Sequence, residues 1–248
     1  MLSRNDLHPY QRRAVSFIQD RKRCGLFLDM GLGKTTSALT AASDLLESFS
    51  IHKVLIIAPL RVANSVWKQE TGKWAHLRHL SVSVCTGSQK ARLSALQADA
   101  DVFVINRENI DWLVDFAKDK WPFDMIIVDE SSSFKNSSSK RFKALRRILP
   151  STEYMVLLTG TPSPNGLLDL WAQMYLIDFG QSLGRTMSVY KQRFFTPDYS
   201  GYKFVAREES APKIQSLIAP TVIPLSAKDS LDLPARIDLI EKVSLPKL

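Results

Sequence analysis

The sequence predicts an α/β fold: a parallel sheet with helices on both faces, followed by a small, mostly helical accessory segment. Two patterns carry the parallel sheet. Short, nearly continuous apolar runs, several of them β-branched, recur along the chain, as strands covered on both faces require. Longer segments with helical periodicity lie between them, and β-then-α alternation of this kind builds a parallel sheet with crossover helices. A third observation, a glycine loop between an apolar run and a helix-like stretch, places a candidate site near the N-terminus.

The elements follow in order. The opening MLSRNDLHPYQRR is polar and lacks the apolar core of a secretory signal. A first strand ends near Leu28, a loop covers Asp29 to Gly33, and a helix is expected from Lys34. KVLIIAP (53–59), LSVSVCT (80–86), DVFVIN (101–106), FDMIIVDE (123–130) and YMVLLTGTP (154–162) are the next strands. Helices are expected over 64–75, 89–97 and 140–149. After Phe179 the rhythm stops. Residues 180–207 are aromatic and basic, which reads as an accessory helical excursion. SAPKIQSLIAP (210–220) reads as a short helix, TVIPLS (221–226) as a returning strand, and the proline-punctuated remainder as a linker. The expected organisation is a main lobe over 1–179, an accessory segment with its return strand over 180–225, and a linker over 226–248.

Composition narrows the classes. A chain of 248 residues, 45% hydrophobic, fills one large α/β domain or a domain with an appendage. No apolar run reaches the roughly 18 residues that a membrane span needs. Cys24 and Cys85 stand apart in apolar stretches with no Cys or His partner nearby. That argues against a zinc site or disulfide framework and for a reducing compartment. The net charge of +8 and a pI of about 9.5 favour a polyanionic partner without requiring nucleic acid.

Three stretches carry chemistry. In FLDMGLGKTT, Gly31 and Gly33 let backbone N–H groups turn toward phosphate oxygens, and the helix that follows adds partial positive charge. Asp29, Met30, Gly31, Leu32, Gly33, Lys34, Thr35 and Thr36 make up this nucleotide-binding candidate. Lys34 would meet the β and γ phosphates, and the Thr35 hydroxyl would hold Mg²⁺. The full phosphate-loop pattern has a further glycine where Leu28 stands. In FDMIIVDESSSFKN, Asp129 and Glu130 follow directly on a buried strand, where carboxylates are costly unless they serve a metal or a hydrogen-bond network. In phosphate-loop ATPases the first acid serves the Mg²⁺ and the second orients the attacking water. In LLTGTPSPNG, Thr159 and Thr161 flank Gly160; composition favours an ordinary proline-stopped turn, although the hydroxyls could bond the acidic pair.

The remaining features read as structure. The four histidines lack ligand or triad spacing, and His76 and His79 are expected at the surface. Trp67 and Trp74, seven apart, suit core packing better than base stacking. Lys140, Arg141, Lys143, Arg146 and Arg147 share a segment whose Phe142, Leu145 and Leu149 would face the core; solvated charge is the preferred reading there over phosphate contact.

Taken together, LHPYQRRAV, FLDMGLGKT, IIAPLRVANSVWKQE, VFVINRENI, VDESSSFKN and LTGTPSPN resemble, in order and approximate spacing, the motifs of the first RecA-like lobe of superfamily 2 helicases. The resemblance is to their Swi/Snf-like duplex-DNA translocases, bacterial and bacteriophage forms in particular, whose phosphate loop dispenses with the first glycine. It implies ATP and Mg²⁺ as cofactors, Gln11 reading the adenine, Lys34 and Glu130 as catalytic residues, and Thr35 and Asp129 at the metal. It further implies that Thr159, Gly160 and Thr161 couple nucleotide state to DNA, and that Arg61, Asn106 and Arg107 touch the DNA backbone. The partners implied are duplex DNA and a second RecA-like lobe carrying the arginine fingers; the setting is the cytoplasm of a bacterial cell or phage-infected host. Ser131 and Ser132 stand where the commoner form has Ala-His, which leaves open how the acidic motif meets the threonine motif. Two functions compete: a DNA-dependent ATPase lobe, and a nucleic-acid-binding or regulatory module that keeps the lobe without translocating.

Overall fold

The computed structural model describes residues 1–199 and 203–225; the expected linker 226–248 lies outside these. The chain begins with α1 (Pro9–Arg21), β1 (Arg23–Leu28) and α2 (Lys34–Glu47). It continues through β2 (Val54–Ala58), α3 (Leu60–Lys73), β3 (Val82–Cys85), α4 (Gln89–Leu96), β4 (Val102–Asn106) and α5 (Ile110–Ala117). Then come β5 (Met125–Asp129), α6 (Lys140–Ile148), β6 (Tyr154–Thr159), α7 (Leu170–Asp178) and α8 (Met187–Phe194). A hairpin of β7 (Phe195–Pro197) and β8 (Phe204–Ala206), α9 (Ser210–Ile218) and β9 (Val222–Leu225) complete the described chain.

Seven strands form one parallel sheet in the order β3-β4-β2-β5-β6-β1-β9. Successive residues along each strand point to opposite faces, so each apolar run feeds two cores. Leu26, Ile56, Val104, Ile127 and Val156 pack under α1, α2 and α3. Phe27, Leu55, Phe103, Ile126 and Met155 pack on the other face against α5, α6 and α7. This double burial explains why the strands lack the alternation of a half-exposed sheet. The return strand is β9, which pairs with β1 from Gly25↔Val222 to Leu28↔Leu225; Pro224 is tolerated because β9 is an edge strand.

Several elements differ from expectation. α3 starts at Leu60, directly behind Pro59, rather than at residue 64. The polar N-terminus holds α1, with Pro9 at its first position and a capping box between His8 and Gln11. α7 buries Leu170, Trp171, Ala172, Gln173, Met174, Leu176 and Ile177, nearly its whole surface, so it presents no apolar stripe to read. Within 180–207 the strands of the hairpin are three residues each, too short to leave a pattern. That segment is anchored to the body by Trp171 Nε1 donating to the Gly184 carbonyl (2.9 Å) and Tyr190 Oη to the Leu167 carbonyl (2.8 Å). Among the described residues no helix is long and apolar enough to cross a membrane.

Candidate nucleotide-binding site

A parallel sheet brings all its strand ends to one edge, and ligands of such sheets bind there. The central neighbours β5, β6 and β1 carry the three chemical stretches. Register fixes their juxtaposition: Asp129 pairs with Leu158 and Phe27 with Thr159. One residue further on, Glu130 meets Thr159 and Leu28 meets Gly160.

The loop after β1 has the form its sequence requires. Gly31 and Gly33 lie at φ 85° and 66°, where a side chain is disfavoured. A methyl group on Gly33 would lie 2.0 Å from Gln11 Nε2, so the buried Gln11 amide packs directly on the loop. The backbone of Ser37 is the first to bond back, to the Gly33 carbonyl at 3.0 Å. The N–H groups of Lys34, Thr35 and Thr36 precede that bond and head the helix without intrahelical acceptors. Lys34 Nζ donates to the Leu28 and Asp29 carbonyls (2.7 and 3.1 Å), folded onto the loop it serves. Burial lowers its pKa, opposed by the charges of Asp129, Glu130 and Asp29. Met30 is exposed, whereas the Leu32 side chain lies in the core, so only the Leu32 backbone can face the loop. The Thr36 side chain is likewise turned away: its buried hydroxyl donates to Glu70 Oε1 (2.8 Å), which also accepts from Trp74 Nε1 (3.1 Å), so that side chain braces α2 while the backbone N–H stays at the head of the helix.

The acidic pair is held in place by groups far away in sequence. Asp129 accepts from the indole N–H of Trp67 at 3.3 Å. Burial pushes its pKa up, against that hydrogen bond. A divalent cation would relieve the cost. Glu130 adopts φ 52°, a left-handed conformation uncommon for a non-glycine residue and typical of functional turns. Its Oε1 accepts from Thr159 Oγ1 at 3.0 Å and from the Ser132 hydroxyl. Thr159 Oγ1 also accepts from the Thr161 backbone N–H (3.1 Å), so the stretch that composition reads as an ordinary turn is wired to the acid. Gly160 passes close under the loop: a methyl there would lie 3.4 Å from the Leu28 carbonyl.

Ser131 and Ser132 resolve the question left by their departure from Ala-His. Ser132 holds Glu130, while Ser131 Oγ donates to Gln173 Oε1 (2.8 Å). Gln173 Nε2 in turn donates to the carbonyls of Pro162 and Asp169. The fully buried Gln173 thus ties the acidic motif to the threonine motif from α7. Trp67 and Gln173 are the positions in contact with the candidate site that sequence reasoning missed. Thr159→Val keeps the side-chain shape and removes one donor to the carboxylate, and is expected to cost about 1 to 3 kcal/mol in chemical denaturation. An unchanged midpoint would remove Thr159 from this network.

Of the three residues expected at DNA, Arg61 is exposed at the start of α3. Arg107 follows β4 and pairs with Glu108 (2.9 Å). Asn106 is a correction: it is buried, donating to Glu108 Oε2 (3.0 Å) and accepting from Asn109, so it braces the turn that presents Arg107. His76 is another correction. It is half-buried, bonded to Thr40 Oγ1 (2.9 Å) with its ring edge-on to Trp74; His79 is exposed beside Glu47. Cys24 and Cys85 are free and buried, and among the described residues no His, Cys, Asp and Glu cluster suits a metal by itself.

A glycine loop opening a helix, with a half-buried acidic pair two strands away on the same sheet edge, is the layout of a phosphate-loop α/β lobe. The SNF2-related domain matches residues 10–248, and the chain belongs to that family. It is 40% identical over 249 residues to protein p41 of Acyrthosiphon pisum secondary endosymbiont phage 1, covering 96% of this chain and 54% of that protein. It is 32% identical over 178 residues to an ATP-dependent helicase, MG018, of Mycoplasma genitalium, covering 68% of this chain and 16% of that one. Among solved structures, the Sulfolobus solfataricus SWI2/SNF2 ATPase core in complex with dsDNA superposes with a TM-score of 0.74 at 27% identity. That match covers 89% of this chain and 44% of the other. The fold is thus that of the RecA-like SWI2/SNF2 core, and the chain spans about half the length of the phage relative.

Proposed function

We propose that the chain is the ATP-binding lobe of a DNA-dependent ATPase that moves along duplex DNA and closes on a second RecA-like lobe to hydrolyse ATP. The observation that carries this is the meeting of Lys34, Asp129, Glu130 and Thr159 at the ends of three adjacent strands, wired by the hydrogen bonds just described.

The residues fit a magnesium-bound nucleoside triphosphate. The open N–H groups of the loop and α2, with the Lys34 ammonium, would cradle the phosphates. Thr35 and Asp129 would hold Mg²⁺, and Gln11, buried against Gly33, would read the adenine edge. Bound Mg²⁺ supplies positive charge to the phosphate oxygens. Glu130 orients the attacking water, its carboxylate aimed by Thr159 and Ser132. The same Thr159 bond transmits the state of that carboxylate to Gly160 and Thr161, and through Gln173 to α7. Arg61 and Arg107, at the ends of β2 and β4, would take the DNA backbone, the partner of the Sulfolobus relative. The cellular setting proposed is bacterial or phage-infected cytoplasm. A module that bound nucleic acid without turnover would have no use for an acid held in a left-handed turn by two hydroxyls.

Glu130→Gln tests the reading. In an assembly that includes the second lobe it should keep ATP binding while slowing hydrolysis about 10²- to 10⁴-fold. Turnover within about threefold of the unsubstituted protein would assign the water-orienting role elsewhere.

A further inference from the structure

Residues 131–152 carry six cations, Lys135, Lys140, Arg141, Lys143, Arg146 and Arg147, and no acid. Five of these lie on α6. Lys135 is held by Asp169 at 3.4 Å and Arg147 by Asp115 at 2.6 Å. Lys140, Lys143 and Arg146 are exposed, and no ion pair to them is found among the described residues. The core side of the helix is closed by Phe142, Leu145 and Ile148, so the cations form a row on the opposite, solvated side. Their spacing of i, i+3, i+6 sets like charges side by side, an arrangement that works against the helix. Lys140 and Arg141 also open the first turn, where an acid would be favoured, and no acid is there. The longer helices α1 and α3 mix signs, with Asp20 among the arginines of α1 and Glu70 beside Lys73 on α3; α4 and α8 carry cations alone, but two each against the five of α6. The charge on α6 is therefore not what helix stability selects.

Its position gives the charge a use. α6 packs beside α5, which follows the turn that presents Arg107. Arg107, Ser139, Lys140 and Arg141 line a cavity of about 260 Å³, shared with Glu108 and Asp111. Glu108 is already engaged by Asn106 and Arg107, which leaves Asp111 as the one acid facing the cavity that no other contact accounts for among the described residues. The row on α6 is thus continuous with the edge proposed above to meet DNA. Lys140 to Arg146 spans about 9 Å along the helix axis, a length over which duplex DNA presents several phosphates, at one per roughly 1.7 Å of its axis.

We propose that the solvated face of α6, headed by Arg107, is a second seat for the phosphate backbone of duplex DNA, outside the motif-bearing loops. It rests on the reading of the chain as a duplex-DNA-binding lobe and extends the footprint on the same edge. Binding there depends on charge and not on base sequence or on bound nucleotide.

The test is a titration of the full chain with a fluorescent duplex at several salt concentrations. Lys140→Gln, Lys143→Gln and Arg146→Gln are combined in one variant. A control combines Arg21→Gln, Arg78→Gln and Lys90→Gln, exposed cations elsewhere, for the same loss of three charges from +8. The α6 variant should weaken binding about tenfold or more at low salt and flatten the log K against log salt slope by about two to three units. The control should change that slope by less than about one unit. Lys140→Arg with Lys143→Arg, which keeps the charge, should behave as the unsubstituted chain. Equal slopes for the two triple variants, or an α6 variant indistinguishable from the unsubstituted chain, overturn the proposal. A chain that binds no duplex at any salt overturns the DNA reading itself, an outcome readily told apart because no slope exists to compare.

Discussion

Lys34→Ala is expected to abolish Mg·ATP binding measured by calorimetry while leaving the fold intact. Two charge-assisted contacts to phosphate oxygens disappear, each worth about 1.5 to 3 kcal/mol, which sums to a weakening of about 100-fold or more. The stability arm of the same experiment separates a binding role from a structural one. Lys34 is half-buried, with its ammonium satisfied by two carbonyls of its own loop and its pKa lowered by burial. A cation whose folded-state pKa is lowered holds its proton less tightly in the folded chain than in the unfolded one. Its charged form therefore opposes folding below that pKa, and the penalty fades as pH rises through it. Removing the ammonium at neutral pH should leave the melting temperature unchanged or slightly raised. Unimpaired nucleotide binding by Lys34→Ala would sink the phosphate-loop assignment. A collapse in melting temperature would make Lys34 a structural residue first.

The parts of the site that could be read from sequence are those in which chemistry is local. The glycine loop is a run of eight consecutive residues, 29–36, and Asp129 and Glu130 sit where a strand ends, so spacing alone exposes both. Gln11 packs directly against Gly33, and Leu28, where the fuller pattern has a glycine, is a buried strand residue after which the turn begins. What spacing does not expose is the set of braces. Trp67 reaches Asp129 across 62 positions from α3, and Gln173 reaches Ser131 across 42 from α7, and nothing in the pattern of either element points to those contacts. Trp67 is fully buried as composition suggests, yet its one polar atom is spent on the acid. Thr159 belongs to the same class. Its neighbours suggest a turn, and only the register of β5 against β6 brings it to Glu130. The fold divides along a similar line. β2, β4, β5 and β6 are covered on both faces and read as continuous apolar runs, whereas α7, buried all round, and the three-residue strands of the hairpin carry no period at all.

The second large effect concerns catalysis by the 248 residues alone. Phosphoryl transfer concentrates charge on the equatorial oxygens of the γ-phosphate, and a cation from outside the phosphate loop stabilises it. Lys34 is the cation whose charge bears on Asp129 and Glu130. Among the described residues no arginine bonds either acid or the loop. Arg23 spends its guanidinium on the carbonyls of Leu149, Thr152 and Leu176, Arg107 is paired with Glu108, and Arg4 with Asp44. Arg61 lies on the far side of β5, at the end of β2. The resemblance to superfamily 2 translocases implies that a second RecA-like lobe provides such an arginine. The purified 248 residues should therefore bind Mg·ATP yet release phosphate about 10³- to 10⁵-fold more slowly than an assembly that includes that lobe, the range an arginine finger contributes in related hydrolases. Duplex DNA should add little, because it can stimulate only a cleft that closes. Phosphate release followed at steady state, with and without duplex, checks both statements. Brisk DNA-stimulated release by the 248 residues alone would mean that self-association, or an arginine of this chain, completes the site.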